Sequence, residues 1–367
     1  MIRIPIVEPY FDKDELHYVS DCIRSGWISS AGKYVQMFGD EFARYCDVRC
    51  GVPVSTGTAA LHLALVVLDI GLGDEVIVPD LTFVATANAV VYCGARPVFV
   101  DIDKNTWNID PSKIEVKITK KTKAIVPVHL YGHPADMDPI LKLAKKHNLY
   151  VIEDAAEAHG AEYKGKKVGG FGDIACFSFF GNKTITTGEG GMLITNNKEW
   201  AKRAKYLRDQ AKSPKRKYWH ANIGYNYGLT NLQAGVGLAQ LKKLDGFIEK
   251  KRQIASWYNN LLKNINGITL PPEKSWAKNS YWMYSILVEK KFGSSRNHLM
   301  EKLKERGIET RPFFYPIHSM PPYRKLATGN YPNTINIARK GLNLPSSVTL
   351  KVKDIVHIVS VIEAVSK

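Results

Sequence analysis

One lysine in a glycine-rich turn has the clearest chemical potential in this sequence. Lys183 lies in Phe177-Ser-Phe-Phe-Gly-Asn-Lys-Thr-Ile-Thr-Thr-Gly-Glu-Gly-Gly191, between an aromatic run and the strand-like Met-Leu-Ile-Thr. Glycines let backbone or ligand approach closely, and the apolar flanks bury the turn, so the amine is confined. A confined amine with a lowered pKa can form an imine with a carbonyl compound. The alternative is a surface turn that carries one lysine among many.

A second stretch has the features of a phosphate site. Ser55-Thr-Gly-Thr58 follows an apolar strand and precedes a helix rich in alanine and leucine. Such a helix start offers free N–H groups and the positive end of the helix dipole, which suit a phosphate. A plain capped helix is the alternative for this stretch alone.

The elements around these residues follow a β-α-β rhythm. Continuously apolar strands separated by helices indicate a mostly parallel sheet that is covered on both faces. Ligands collect outside the carboxyl ends of such strands, and both Asp154 and the turn at 55–58 lie at strand ends. The predicted strands are 75–79, 97–103, 123–129 and 150–154, and the predicted helices are 82–92, 137–147, 198–210 and 232–262.

The chain divides into two predicted domains. Residues 1–245 are expected to form an N-terminal arm and a large α/β domain, and residues 246–367 a linking helix and a small C-terminal α+β domain. The arm contains two short helices, and the first has apolar residues at helical spacing, Leu16, Val19 and Ile23. The small domain is predicted from a strand at 281–288 and a helix at 298–306.

Composition excludes several classes of protein. The 367 residues are 45% hydrophobic and carry a net charge of +16, but the basic residues are spread along the chain and belong to no nucleic-acid module. The excess charge therefore favours anionic small substrates over nucleic acid. The sequence contains no run of eighteen apolar residues, so no membrane span is predicted, and the N-terminus shows no secretory signal. The five scattered cysteines indicate free thiols in the cytoplasm.

Other catalytic motifs fail on their spacing. The turn at 181–184 lacks the glycine spacing of a P-loop, and the sequence contains no H-E-x-x-H, G-x-S-x-G or strand-linked G-x-G-x-x-G. His129 and His133 could be metal ligands, but the Gly-His-Pro between and after them favours structural histidines in a turn. No metal site is predicted.

One cofactor unites the remaining features. Pyridoxal phosphate requires a lysine for an imine, an acid against its ring nitrogen, a phosphate cup and an aromatic residue over its ring. The sequence supplies them as Lys183, Asp154, the turn at 55–58 with Ser178, and Phe83.

The same residues carry a family resemblance along essentially the whole chain. The segments Ser-Thr-Gly-Thr-Ala-Ala-Leu (55–61), Val-Ile-Glu-Asp-Ala-Ala-Glu-Ala-His-Gly (151–160) and 178–191, with Gly-Tyr-Asn-Tyr and Leu-Thr-Asn-Leu-Gln-Ala within 224–234, resemble the DegT/DnrJ/EryC1/StrS nucleotide-sugar aminotransferases. This resemblance implies a fold-type-I, aspartate-aminotransferase-like homodimer with shared active sites. Segments near Trp27, Trp219 and Arg311 most resemble the subgroup that forms GDP-perosamine. They imply glutamate-dependent 4-amination of GDP-4-keto-6-deoxy-D-mannose for a surface glycan of the O-antigen type.

The resemblance assigns roles by matching position. Lys183 carries the imine and moves protons, Asp154 pairs with the ring nitrogen, and Phe83 stacks on the ring. Glu157 also contacts the cofactor, at a position where much of the family has Gln. The implied phosphate contacts are Thr56, Gly57, Thr58, Ser178 and, from the partner subunit, Asn226. The implied substrate contacts are Trp27, Ser29, Trp219, Arg311, Tyr315 and His318.

Three alternatives stay open at the level of the sequence. The substrate could be a dTDP- or UDP-4-keto-6-deoxy-glucose, because the loops that read base and sugar are not placed by pattern. A sugar 3-dehydratase of the same fold has histidine in place of Lys183, and a non-catalytic basic binding protein would not need the whole constellation. Gly228 stands where the family usually has Arg, which leaves contacts at the subunit interface open.

Overall fold

The computed structural model describes residues 4–366, so the ends of the two predicted domains, residues 1–3 and 367, lie outside it. Ten α-helices are found in this range: α1 (Lys13–Ser25), α2 (Lys33–Tyr45), α3 (Gly57–Val67), α4 (Ala85–Tyr92), α5 (Met137–His147), α6 (Lys198–Leu207), α7 (Asn231–Leu262), α8 (Arg296–Glu305), α9 (Pro332–Lys340) and α10 (Val352–Val365).

Fourteen strands accompany them within the same residues. They are β1 (Cys50–Val54), β2 (Glu75–Pro79), β3 (Arg96–Val100), β4 (Thr122–Ile125), β5 (Tyr150–Asp154), β6 (Glu162–Tyr163), β7 (Lys166–Lys167), β8 (Ile174–Ser178), β9 (Gly191–Thr195), β10 (Ile268–Thr269), β11 (Ala277–Lys278), β12 (Tyr284–Val288), β13 (Arg311–Pro312) and β14 (Gly341–Leu344).

The largest sheet has seven strands in the order β1-β9-β8-β5-β4-β2-β3. The pairs from β8 to β3 are parallel, whereas β9 runs antiparallel to both β8 and β1. Apolar clusters cover both faces, with α3, α4 and α6 on one side and α2, α5 and the first half of α7 on the other. The structure thus confirms the predicted mostly parallel α/β sheet.

A smaller, antiparallel sheet follows in the order β10-β12-β14-β13. Its apolar cluster includes the second half of α7, α8 and α10. The 32-residue helix α7 begins with a capping box, in which Thr230 and Gln233 satisfy each other's backbone N–H groups. The proposed domain boundary between residues 245 and 246 lies inside this helix.

Several predicted element ends are wrong, for local reasons. The predicted strand 123–129 ends at Ile125, and Pro127, which has no N–H to donate, follows shortly after. The predicted helix 198–210 ends at Leu207, because Gln210 and Ala211 take left-handed backbone angles. The strand predicted at 281–288 begins only at Tyr284, and the helix predicted at 82–92 begins at Ala85. The first predicted helix forms, but two of its apolar residues are exposed, Leu16 at 68% and Ile23 at 61%. Between residues 4 and 366, no helix combines the length and the apolar character of a membrane span.

Candidate active site

Lys183 lies in the loop between β8 and β9, at the carboxyl end of β8. Its side chain is 11% exposed, and its Nζ is 3.5 Å from Glu157 Oε1. The same Nζ is 3.8 Å from the centroid of the Trp282 ring. Burial lowers the pKa of Lys183, while the carboxylates of Glu157 and Asp154 act in the opposite direction. A lowered pKa leaves more of the amine neutral, and therefore nucleophilic, near neutral pH.

Asp154 ends β5, which is the direct neighbour of β8 in the sheet although β6 and β7 lie between them in sequence. Its Oδ2 accepts a 2.7 Å hydrogen bond from the hydroxyl of Thr86, and its Oδ1 accepts one from the N–H of Ala156 at 3.3 Å. Burial raises the pKa of Asp154, and the hydrogen bonds and the charge of Lys183 oppose that rise. A buried carboxylate held by hydrogen bonds is suited to pair with a cationic ring nitrogen.

Glu157 follows on the turn after β5 and lies against the same lysine. Its Oε2 accepts a 3.0 Å hydrogen bond from the N–H of Tyr131, a residue with a left-handed φ of 54°. Burial raises the pKa of Glu157, and Lys183 is the main group that opposes the rise. Glu157 therefore contacts Lys183 directly, while Asp154 acts on the same amine through its charge.

The turn at 55–58 lies beside the end of β8. Thr56 caps α3 by accepting the N–H of Ala59, and the first N–H groups of the helix have no partner within it. A Cβ built on Gly57 would lie 2.7 Å from Ser178 Cβ, so only glycine fits this approach. The hydroxyl of Ser178, the start of α3 and the small Gly57 thus form an open cradle that suits an anion.

Aromatic rings form a wall along the site. Phe83 is 54% exposed and contacts Phe314 with a centroid distance of 5.7 Å. Phe314 stacks on Tyr131 at 5.4 Å, and Tyr131 stacks on Trp282 at 6.2 Å. Phe83 and Tyr131 belong to the part of the chain with the large sheet, whereas Phe314 and Trp282 belong to the part with the small sheet. The wall therefore joins the two parts around Lys183.

The predicted substrate residues are distributed unevenly. The positive charge of Arg311 reaches Lys183 and contributes to lowering its pKa. His318 Nδ1 lies 2.6 Å from Oδ2 of the buried Asp80, and its N–H donates to Oδ1 of the same residue. Tyr315 is 66% exposed. His318 thus ties its loop to the carboxyl end of β2.

Other predicted residues lie on the surface, away from these contacts. Trp27 and Trp219 are about half exposed, and Asn226 and Ser29 are exposed. In the described part of the chain, no hydrogen bond or aromatic contact joins them to Lys183, Asp154 or Glu157. Gly228 pairs with Val54 through an isolated bridge, and a Cβ there would lie 3.0 Å from Ser30 Cβ.

Three residues of the site were not predicted: Thr86, Tyr131 and Trp282. Thr86 could have been found, because it follows Phe83 by three residues on a predicted helix and so shares its face. Trp282 meets the lysine and Tyr131 meets Glu157 only through tertiary packing, and no local pattern marks either residue.

The two histidines considered as metal ligands have structural partners. His129 Nε2 lies 3.1 Å from Glu153 Oε2, and its Nδ1 accepts the N–H of Ala135. Burial lowers the pKa of His133 to about 4. Across residues 4–366 there is no cluster of three or more potential metal-ligating side chains.

The residues present fit pyridoxal phosphate. A cradle that a single Cβ would fill lies beside an anion-binding helix start, a buried carboxylate lies at the neighbouring strand end, and the lysine lies between. Together with the α/β fold, this arrangement defines the class of pyridoxal-phosphate-dependent enzymes.

Comparison with known proteins identifies the family. Residues 9–363 match the DegT/DnrJ/EryC1/StrS aminotransferase family, and the chain belongs to it. A GDP-perosamine synthase from Caulobacter vibrioides is 47% identical over 99% of this chain and 98% of its own. A GDP-perosamine synthase from Escherichia coli O157:H7 is 50% identical over 98% of this chain and 97% of its own.

A solved structure supports the cofactor. Spr1654 from Streptococcus pneumoniae, which is assigned as a sugar aminotransferase and is in its PLP-form, superposes with a TM-score of 0.94. It is 28% identical, and the match covers 100% of this chain and 99% of that one. The protein is thus a pyridoxal-phosphate-dependent aminotransferase.

Proposed function

We propose that this enzyme transfers an amino group from L-glutamate to the C4 keto group of GDP-4-keto-6-deoxy-D-mannose and forms GDP-perosamine for a surface glycan. The observation that carries the proposal is the 47–50% identity, along nearly the whole chain, to two relatives named GDP-perosamine synthase. The five cysteines are free thiols, the state expected of a protein that works in the cytoplasm.

The proposed mechanism gives each buried group one task. When bound, pyridoxal phosphate supplies a carbonyl that condenses with amines and a ring that takes up electrons. Lys183 would hold the cofactor through its Nζ, and as a free amine it would accept the proton from the α-carbon of glutamate. In the second half of the cycle, the same Nζ delivers a proton to C4 of the sugar. Asp154 keeps the ring nitrogen protonated, and Glu157 stabilises the ammonium form of Lys183.

The remaining chain residues bind and orient. Ser178, Thr56, Gly57 and Thr58 hold the phosphate through the cradle at the start of α3. Phe83 presents a free ring face to the cofactor. Arg311 supplies a positive charge for an anionic substrate group, and the surplus of positive charge along the chain attracts nucleotide sugars.

We also propose that the active unit is a homodimer. Four exposed apolar side chains, Leu16, Ile23, Trp27 and Ile28, lie on α1 and in the loop after it. Exposed apolar side chains of this kind are often covered at a subunit interface. Asn226, which is exposed in the single chain, would then reach the cofactor phosphate of the partner, and Trp27, Ser29 and Trp219 would line the substrate site at the interface.

A substrate comparison tests the proposal. GDP-, dTDP- and UDP-linked 4-keto-6-deoxy sugars are each incubated with glutamate, and product mass and C4 stereochemistry are determined. The GDP-mannose derivative should react at least about tenfold faster in kcat/KM than the other two, which corresponds to roughly 1.4 kcal/mol of discrimination. Faster turnover of a dTDP or UDP sugar would redirect the substrate assignment to a viosamine-type 4-aminotransferase.

A lysine substitution tests the catalytic role itself. Lys183→Ala should abolish turnover and the absorbance band of the cofactor attached through an imine, because the substitution removes the amine that forms it. Lys202→Ala, which removes an exposed lysine from α6, serves as the matched control. An active Lys183→Ala protein would be incompatible with the proposed role.

A further inference from the structure

The indole of Trp282 lies directly against the amine of Lys183. The 3.8 Å between Nζ and the ring centroid is a close cation–π contact, and Trp282 is only 4% exposed. Glu157 Oε1 is 3.5 Å from the same Nζ. The released amine therefore rests between a carboxyl group and an aromatic face, both of which favour a positive charge.

The side chain of Trp282 is fixed at its polar edge. Its Nε1–H donates a 2.7 Å hydrogen bond to the carbonyl of Asn182, the residue before the lysine. Ring and lysine loop are therefore attached to each other, so any shift of the ring would move Lys183 as well. This hydrogen bond is the kind that buried indole groups require.

The backbone of Trp282 is fixed by a second, buried lysine. Lys251, which is 3% exposed, donates to the carbonyl of Trp282 at 3.2 Å and to that of Ser346 at 2.8 Å. Lys251 lies in the middle of α7, so it anchors Trp282 to the helix that runs through both parts of the chain. Burying an amine costs free energy of desolvation, and the two hydrogen bonds to carbonyl groups, one of them that of Trp282, offset part of this cost.

Strain and close packing complete the support. Tyr281 has a left-handed φ of 48°, a conformation that a large side chain adopts only where its surroundings enforce it. Gly132, with φ of 101°, approaches so closely that a Cβ would lie 2.7 Å from the N of Tyr281 and 2.8 Å from the N of Trp282. Tyr131 stacks on the indole itself, with ring centroids 6.2 Å apart. These constraints fix the ring independently of the cofactor.

We propose that Trp282 is a positioning residue that holds the released amine of Lys183 and stabilises it as the ammonium during proton transfer. This inference rests on the proposed catalytic role of Lys183. The ring keeps Nζ within reach of the reacting atoms, and its face stabilises the positive charge that Nζ gains when it accepts a proton.

The charged groups around Lys183 act on its ammonium form in opposite directions, so an uncharged ring can add to its stabilisation. Glu157 and Asp154 favour the ammonium, whereas burial and the charge of Arg311 oppose it. His159 is buried, its pKa is lowered to about 3, and it therefore stays neutral. Trp282 adds stabilisation of the ammonium without the desolvation cost of a third buried carboxyl group.

The test measures how fast the cofactor-free protein takes up pyridoxal phosphate at pH 6 to 10, followed by the absorbance change on attachment to Lys183. Only the neutral amine attaches, so the rate rises through the pKa of Lys183. Loss of the ring in Trp282→Leu removes stabilisation of the ammonium, and the midpoint should move to lower pH by about 0.5 to 1.5 units. Trp282→Phe keeps an aromatic face and should shift the midpoint by less than half as much.

A matched pair elsewhere in the chain provides the control. Trp257 also carries a lysine over its ring, with Lys250 Nζ 4.4 Å from the centroid, but it lies on α7 outside the contacts of the site. Trp257→Leu should leave the midpoint of uptake unchanged. Thermal unfolding of every variant identifies the proteins that are folded at the assay temperature.

Turnover gives a second readout. The kcat of Trp282→Leu should fall about tenfold or more, with KM for glutamate changed less than threefold, and Trp282→Phe should recover most of the loss. A folded Trp282→Leu protein with an unmoved or raised midpoint would overturn the inference. If Trp282→Leu does not fold, a smaller downward shift of the midpoint in Trp282→Phe that Trp257→Leu lacks supports the inference, and a midpoint in Trp282→Phe equal to that of Trp257→Leu overturns it. Failure of the wild-type protein to attach the cofactor at Lys183 would instead refute the proposed function.

Discussion

The hydroxyl of Thr86 offers a direct test of how the site holds its acid. It donates a 2.7 Å hydrogen bond to Oδ2 of Asp154, inside the protein, and Asp154 otherwise accepts only the longer 3.3 Å bond from Ala156 among its side-chain contacts in residues 4–366. Thr86→Val keeps the shape of the side chain and removes the donor. The charged form of Asp154 then loses its main support, and its pKa, which burial already raises, should rise further.

The expected magnitude follows from that one bond. A hydrogen bond to a charged group contributes about 1.5–3 kcal/mol, and each 1.4 kcal/mol is a factor of ten in an equilibrium constant. If Asp154 pairs with the ring nitrogen of pyridoxal phosphate, the dissociation constant of the cofactor should increase about 10- to 100-fold in Thr86→Val. Thr86→Ser retains the hydroxyl and should bind the cofactor within about threefold of wild type.

A cofactor analogue identifies the path of the effect. In 1-deaza-pyridoxal phosphate a carbon replaces the ring nitrogen, so the analogue has no group for Asp154 to protonate. Absorbance titration of the cofactor-free protein should show that Thr86→Val weakens the natural cofactor but not the analogue. Equal weakening of both would mean that Thr86 acts through packing alone. Unchanged affinity for both would refute the link between Thr86 and the acid.

Two further predictions concern the rest of the chain. Burial lowers the pKa of Lys251 to about 7, so the unfolded chain binds more protons than the folded one above that pH, and the unfolding free energy should rise with pH from 7 to 10. Lys251→Met should lack this contribution. The difference in unfolding free energy between the wild type and Lys251→Met, measured by chemical denaturation, should therefore change in favour of the wild type by up to about 4 kcal/mol from pH 7 to 10. A difference that stays constant with pH would contradict the burial argument. For the proposed dimer, mixing equal amounts of subunits that carry Lys183→Ala and subunits that carry Asn226→Ala should restore about a quarter of wild-type activity, because random pairing makes about half of the dimers mixed and one of the two sites in each mixed dimer is intact. No recovery, despite mass-spectrometric detection of mixed dimers, would exclude a shared site.

Local patterns were sufficient for much of the fold and part of the candidate site. Continuous apolar strands predicted the covered parallel sheet because burial on both faces removes the need for polar alternation. Lys183, Asp154 and the turn at 55–58 could be selected because each combines a reactive or polar group with a strand end or helix start. The structure brings these residues together at one edge of the sheet.

Tertiary packing decides what the patterns could not. Trp282 looks like any other buried tryptophan in sequence, and its place beside Lys183 depends on Lys251 and on the left-handed backbone at Tyr281. The apolar spacing of α1 predicted a helix correctly, but Leu16 points to solvent in the single chain. Periodicity identifies an apolar face and does not say whether the chain itself or another subunit covers it.

The pairing of β1 with β9 has a consequence for how the enzyme is made. Val54, which leads into the phosphate cradle, pairs with Gly191, which closes the lysine loop. At ribosomal rates of about 5–20 residues per second, the second strand emerges on the order of ten seconds or more after the first. Until then, β1 has no partner in the seven-stranded sheet, because β9 is its only neighbour among the described strands. An apolar strand of the nascent chain therefore stays unpaired, and open to aggregation, while most of the large sheet is synthesised. We expect the pairing of β1 with β9 to be a slow, long-range folding step and the one most dependent on chaperones.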